Sequence, residues 1–265
     1  MFGYEFMREA FIASTFIAIT AGIVGVFVVS RNMSFLSHTL SEIGFAGASF
    51  GILIGISPLA GMIIFTLISS IAVGSLSSES SRREASISTI SSLFIGLGIL
   101  FLSLSSESSS YATNILFGSI VGISAKEVQQ LMVLAIFVIA IFVLFYKPLS
   151  FDSFDHLGAQ ASGLKTRWLS IIFLVTLALS VSIGAQIVGS MLVFVLLTLP
   201  GSTAKYLVHS VPKMIAVSVG LSLAGVWIGL FLAFITNWPV TFFISTFEVI
   251  AYFCGLTYKN WKLSH

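Results

Sequence analysis

Cysteine is almost missing. Cys254 stands alone among 265 residues, which excludes an intrachain disulfide and a thiolate cluster for metal or redox chemistry. Charge is scarce too, at 8% of residues against about 25% in ordinary soluble domains. A net charge of +2 leaves no basic footprint, and nucleic acid is not expected as a partner. No GxxxxGK(S/T) stretch occurs, so the chain has no phosphate-cradling loop and is expected to be no enzyme in its own right. Residues 1–9, MFGYEFMRE, lack the basic start and cleavage site of a signal peptide. The alternating segments of about 10 residues that mark a transmembrane β-barrel are also absent.

What is present is apolar. Hydrophobic residues make up 57% of the chain, and they come in runs near the ~20 residues that cross a bilayer core as a helix. The fold class expected is an all-α polytopic membrane protein forming one transmembrane domain over residues 1–265. Nine apolar segments fall at 10–30, 34–55, 58–77, 87–105, 127–146, 168–187, 188–208, 214–235 and 239–258. The sixth and seventh run together around Gly184 and Gly189, so eight or nine spans are expected. With the N-terminus outside and the C-terminus cytoplasmic, ten of the twelve Lys and Arg residues fall on the cytoplasmic side; Arg8 and Lys126 are the exceptions. Between the spans, SSESSRRE at 77–84 reads as a short cytoplasmic loop. NILFGSIVG, within the outer connection at 105–127, is too short to cross and reads as re-entrant or interfacial.

Ionisable groups inside such segments need an explanation, because each costs a central membrane helix roughly 2.5–3.5 kcal/mol on insertion scales. His38 and Glu42, in SHTLSE, are four residues apart and share a helix face. An imidazole and a carboxylate one turn apart can chelate one divalent transition metal. They can equally form a hydrogen-bonded pair that sets helix packing, and spacing alone leaves both readings open. Gly44, Gly47, Ala48 and Gly51 form a small-residue stripe suited to close helix contact. Asn114 and Gln186 are neutral polar candidates for a pathway, and Glu248 is a second acid within an apolar segment, fit for packing, a neutral state or a ligand role.

The longest cytoplasmic connection, KPLSFDSFDHLGAQASGLKTRW at 147–168, is patterned as a short helix after Pro148, with Asp152 or Asp155 as its cap. Ala159 and Gly163 follow Asp155 at i+4 and i+8. A solvated loop helix and a docking helix for an ATPase both fit that spacing.

Phe154-Asp155-x-x-x-Ala159-x-x-x-Gly163 resembles the coupling-helix segment in the permease subunits of ABC importers for zinc and manganese. QIVGSMLVFVLLTLPGSTAKYL at 186–207 resembles the same family's pattern through Gln186, Val188, Gly189, Leu192, Val193, Pro200 and Ala204, and LFGSI at 116–120 is a further match. Residues 31–42 are similar to the family's Arg-x-x-Ser-x-x-x-Asp-x-x-Ser-His, except that His38 stands where the family has Asp and Glu42 where it has His. Both positions keep a metal donor, in inverted order.

The resemblance implies an ABC importer permease bundle with a coupling-helix segment at about 150–166, in a bacterial plasma membrane. It implies import of zinc or manganese by alternating access past His38 and Glu42, the imidazole tilting the choice toward zinc. The partners implied are a second copy of the chain, a cytoplasmic ATPase dimer, and an extracellular or periplasmic metal-binding protein. No cofactor is expected to stay bound; ATP would act only through the partner subunit. A proton- or sodium-coupled metal transporter and a non-transporting assembly protein are the alternatives. The first usually shows an internal repeat not found here, and the second has no need of titratable groups at mid-membrane.

Overall fold

The computed structural model describes residues 4–75, 80–105, 115, 116, 118 and 124–263. The described residues form helices and connecting turns, with no strand among them. The helices are α1 Glu5–Ser30, α2 Ser34–Ile54, α3 Pro58–Ser75, α4 Ser80–Leu104, α5 Ala125–Leu144, α6 Tyr146–Phe154, α7 His156–Ala161, α8 Thr166–Val188, α9 Ser190–Leu207, α10 Val211–Thr236 and α11 Val240–Leu263. A helix falls on each of the nine apolar segments expected. Seven of them (α1, α4, α5, α8, α9, α10 and α11) are long and apolar enough to cross a membrane. Helix α3 carries an apolar stretch at Pro58–Ala72, and α2 is diluted by its own His, Glu, Ser and Gly residues. Helix α4 starts at Ser80, inside the stretch expected to be a loop.

Local chemistry explains the breaks. Asn32 (φ 55°) turns the chain between α1 and α2 within three residues, while Met33 N–H returns to the Val28 carbonyl. Gly189, at φ 87° and ψ 152°, marks the boundary between the sixth and seventh expected segments as the break between α8 and α9, a backbone state that a Cβ would strain. A reciprocal capping box between Ser124 and Glu127 starts α5. Asn237 (φ 57°) closes α10 before the Trp238-Pro239 turn.

Helices α1, α8 and α9 form the buried centre, whereas α4, α5 and α11 are mostly exposed at the periphery. Helix α1 packs on α9 and α10, and α2 packs on α3, α4, α8 and α9. The expected small-residue stripe in α2 lies in one of these contacts. Gly47 meets Gly61 of α3 so closely that a Cβ on either would overlap the other's carbonyl. The C-terminal end of α1, the N-termini of α2 and α8, and the short helices α6 and α7 gather at one end of the bundle.

Candidate functional site

His38 and Glu42 lie on the first turns of α2, with Glu42 about 12 Å along the axis from Ser34 at 1.5 Å per residue. Their i, i+4 spacing brings His38 Nδ1 within 3.6 Å of Glu42 Oε2. Two other helices complete their surroundings. The Ser91 hydroxyl on α4 donates to the Glu42 carboxylate. The His38 ring meets Phe194 of α9 edge-on, with centroids 4.9 Å apart. The Ser41 hydroxyl donates to the Ser190 carbonyl in the first turn of α9. His38, Ser41 and Glu42 line a cavity of about 140 Å³ with Ile95, Leu116 and Met191. Liquid water occupies about 30 Å³ per molecule, so there is room for an ion with part of its hydration.

One side of the site is open. The His38 side chain retains 37% of its exposure, and Phe35 and Met191 beside it are also exposed. Among the described residues no group of three or more His, Cys, Asp and Glu side chains comes together. His38 and Glu42 thus supply two donors, fewer than the four of a closed tetrahedral site.

The other residues singled out in the sequence lie elsewhere. Asn114 is outside the described residues; two positions on, Leu116 reaches the cavity wall. Gly118 (φ 79°) lies against the Val188 backbone at the α8–α9 break, so Leu116 and Gly118 both lie beside the site. Gln186, one turn before that break, has a buried side-chain oxygen with no hydrogen-bond partner. Glu248 is completely buried on α11, lies against Gly225 of α10, and has no partner for either oxygen. Neither Gln186 nor Glu248 is among the residues lining the His38 cavity.

At the α6–α7 end, Asp155 caps α7 by accepting from Gly158 N–H at 2.9 Å. Ala159 points inward and is buried. Gly163 (φ 81°) lies past the end of α7, where its N–H returns to Gln160 and that of Leu164 to Ala159, a Schellman termination. Asp155, Ala159 and Gly163 therefore shape and seat the segment, and its exposed apolar surface comes from Phe151, Phe154 and Leu157, the last 77% exposed.

Sequence reading had not singled out the polar knot behind this segment. Arg31 donates from Nη2 to Asp152 Oδ2 at 2.5 Å and from Nε to Ser153 Oγ at 2.7 Å. Its guanidinium sits 4.7 Å over the Phe173 ring of α8. Burial pulls the Arg31 pKa below its ordinary value, against the opposing effect of Asp152. Ser91 and Phe194 were also missed: a serine in a serine-rich helix and one Phe among 25 carry no distinguishing local signal.

The profile of the ABC 3 transport family matches residues 3–259. The manganese transport system membrane protein MntC of Listeria monocytogenes is 29% identical over 235 residues, covering 88% of this chain and 84% of the relative. The manganese import system permease protein ScaB of Streptococcus gordonii is 30% identical over 235 residues, with the same coverage. Among solved structures, PsaBC from Streptococcus pneumoniae in complex with Fab superposes with a TM-score of 0.87 at 26% identity, over 95% of this chain and 91% of that one.

Proposed function

The chain belongs to the ABC 3 transport family and is a multi-pass protein of the bacterial plasma membrane; on that premise we propose that it is the permease subunit of an ATP-driven importer carrying a divalent transition metal inward by alternating access. The observation that carries the proposal is the pairing of His38 with Glu42 on the wall of one cavity at the junction of α2, α4 and α9. One nitrogen and one oxygen donor suit Mn²⁺ as well as Zn²⁺. Relatives named for manganese transport move the choice from zinc to Mn²⁺ as the cargo.

The open side of the site is the argument for a second copy. An ionisable side chain facing lipid is costly, and a homodimer seated on the face of Phe35, His38 and Met191 would remove that exposure. Its two-fold axis would add a second His–Glu pair, for up to four donors around one ion. In this reading eight or nine of these helices cross the membrane, with the N-terminus outside and the C-terminus cytoplasmic. The whole chain then acts as one transmembrane domain, and the α6–α7 end is cytoplasmic. There Phe154 and Leu157 meet a partner ATPase dimer, on a segment shaped by Asp155, Ala159 and Gly163. An extracellular or periplasmic metal-binding protein delivers the ion to the opposite end. Asn114, Gln186 and Glu248 are the further pathway candidates.

Replacing both His38 and Glu42 by Ala is expected to abolish Mn²⁺ uptake by the assembled complex, while membrane insertion and retention of the ATPase persist. Native-level uptake by the double variant would reject the site.

A further inference from the structure

We propose that Arg31 and Asp152 are positioning residues that form a strut through which movement of the α6–α7 segment reaches the helix bearing His38 and Glu42. The inference rests on the reading of α6–α7 as the ATPase-docking segment. Arg31 is held from two elements at once: Asp152 and Ser153 on α6 take its polar edge, and Phe173 on α8 lies under its flat face. The pair is nearly sealed from solvent, with side-chain exposures of 7% for Arg31 and 0% for Asp152. Its partners are locked in turn. The Ser153 hydroxyl donates to the Leu149 carbonyl at 2.6 Å, and the other Asp152 oxygen meets His156 Nδ1 of α7 at 2.8 Å. One carboxylate thus joins α7 on one side to the α1–α2 junction on the other.

The junction is short and tight. Arg31 precedes α2 by three residues, and the left-handed Asn32 with the Met33-to-Val28 bond leaves little slack between them. His38 follows on the next turn of the same helix. A rigid helix transmits axial rotation and translation along its length, whereas flexible loops would absorb them. Breaking a buried pair leaves an uncompensated charge, so α6 cannot readily separate from Arg31 and is expected to move with it. Phe154 and Leu157, by contrast, face outward and touch none of these groups through a polar contact; they suit docking rather than transmission.

The test uses the permease co-assembled with its ATPase and metal-binding protein in lipid vesicles, measuring ATP hydrolysis and Mn²⁺ import in the same samples. Asp152→Asn removes the ion pair at constant shape. Arg31→Lys keeps the charge but loses the fork that reaches Asp152 and Ser153 together. Both variants are expected to retain the ATPase and hydrolyse ATP, while Mn²⁺ imported per ATP falls about tenfold for Asp152→Asn and less for Arg31→Lys. An unchanged ratio, or hydrolysis and import falling in parallel, would overturn the strut. Should Asp152→Asn fail to assemble, the Arg31→Lys ratio decides alone. A native assembly that neither hydrolyses ATP in response to Mn²⁺ nor imports it would instead refute the transport reading, leaving the two failures separable.

Discussion

Individual side chains in this bundle divide into those with partners and those without. Glu42 has a partner: the Ser91 hydroxyl donates to it and so holds the carboxylate beside His38. Groups that orient a metal ligand typically account for 10–100-fold in affinity. Ser91→Ala is accordingly expected to weaken Mn²⁺ binding roughly 10-fold, measured by titration calorimetry on the purified complex, with little change in thermal stability. Glu248 has no partner. A buried, unsatisfied carboxyl bears a desolvation cost of about 1–3 kcal/mol, and inside a membrane bundle such a group is a candidate for a pathway role. Glu248→Met is expected to raise the unfolding midpoint in detergent and at the same time to lower Mn²⁺ uptake. Unchanged uptake would assign Glu248 to packing. Residues of both kinds are visible in the sequence as polar letters in apolar runs, but their partners are not. Ser91 lies 49 positions from Glu42, and no periodicity links them.

Elements were more legible, because what makes a membrane helix is local. Hydropathy, capping side chains and positive-φ residues act within a turn or two, and the expected segments became helices with shifted ends. Gly189 divides the sixth segment from the seventh where the two run together, and the exception is local too: Ser80 to Ser86 joined α4 although SSESSRRE lacks apolar character. Close packing between elements leaves a weaker trace. Glycines spaced along α2 pointed to a tight contact, but that the contact is with Gly61 of α3 emerges only in the fold. Gly47→Val would drive its side chain into the Gly61 carbonyl and the Phe65 Cβ. Overpacking of this kind costs about 1–3 kcal/mol, and the variant is expected to unfold at a clearly lower temperature than native permease. Helix α7 makes the same point. The Asp155, Ala159 and Gly163 spacing fitted a solvated loop helix and a docking helix alike; the structure turns Ala159 inward and leaves Leu157 outside.

For the molecule as a whole, the end of the bundle at α6 and α7 carries exposed apolar side chains. Leu157 and Phe154 form an apolar protrusion where α6 and α7 meet. A central apolar anchor of a protein interface commonly contributes 2 kcal/mol or more, about a 30-fold change in affinity. Leu157→Glu is therefore expected to reduce co-purification of the ATPase by at least about tenfold, with insertion of the permease unchanged. Retention at the native level would move the docking surface elsewhere. The sequence by itself determined the membrane class, the helical segments and the shared face of His38 and Glu42, since each follows from interactions within a few residues. Only the tertiary structure decided which helices are central, which wall closes the cavity, and that Arg31 grips Asp152 across 121 positions. Those outcomes depend on how surfaces distant in the chain fit together, and a local pattern of polar and apolar residues is compatible with many such fits.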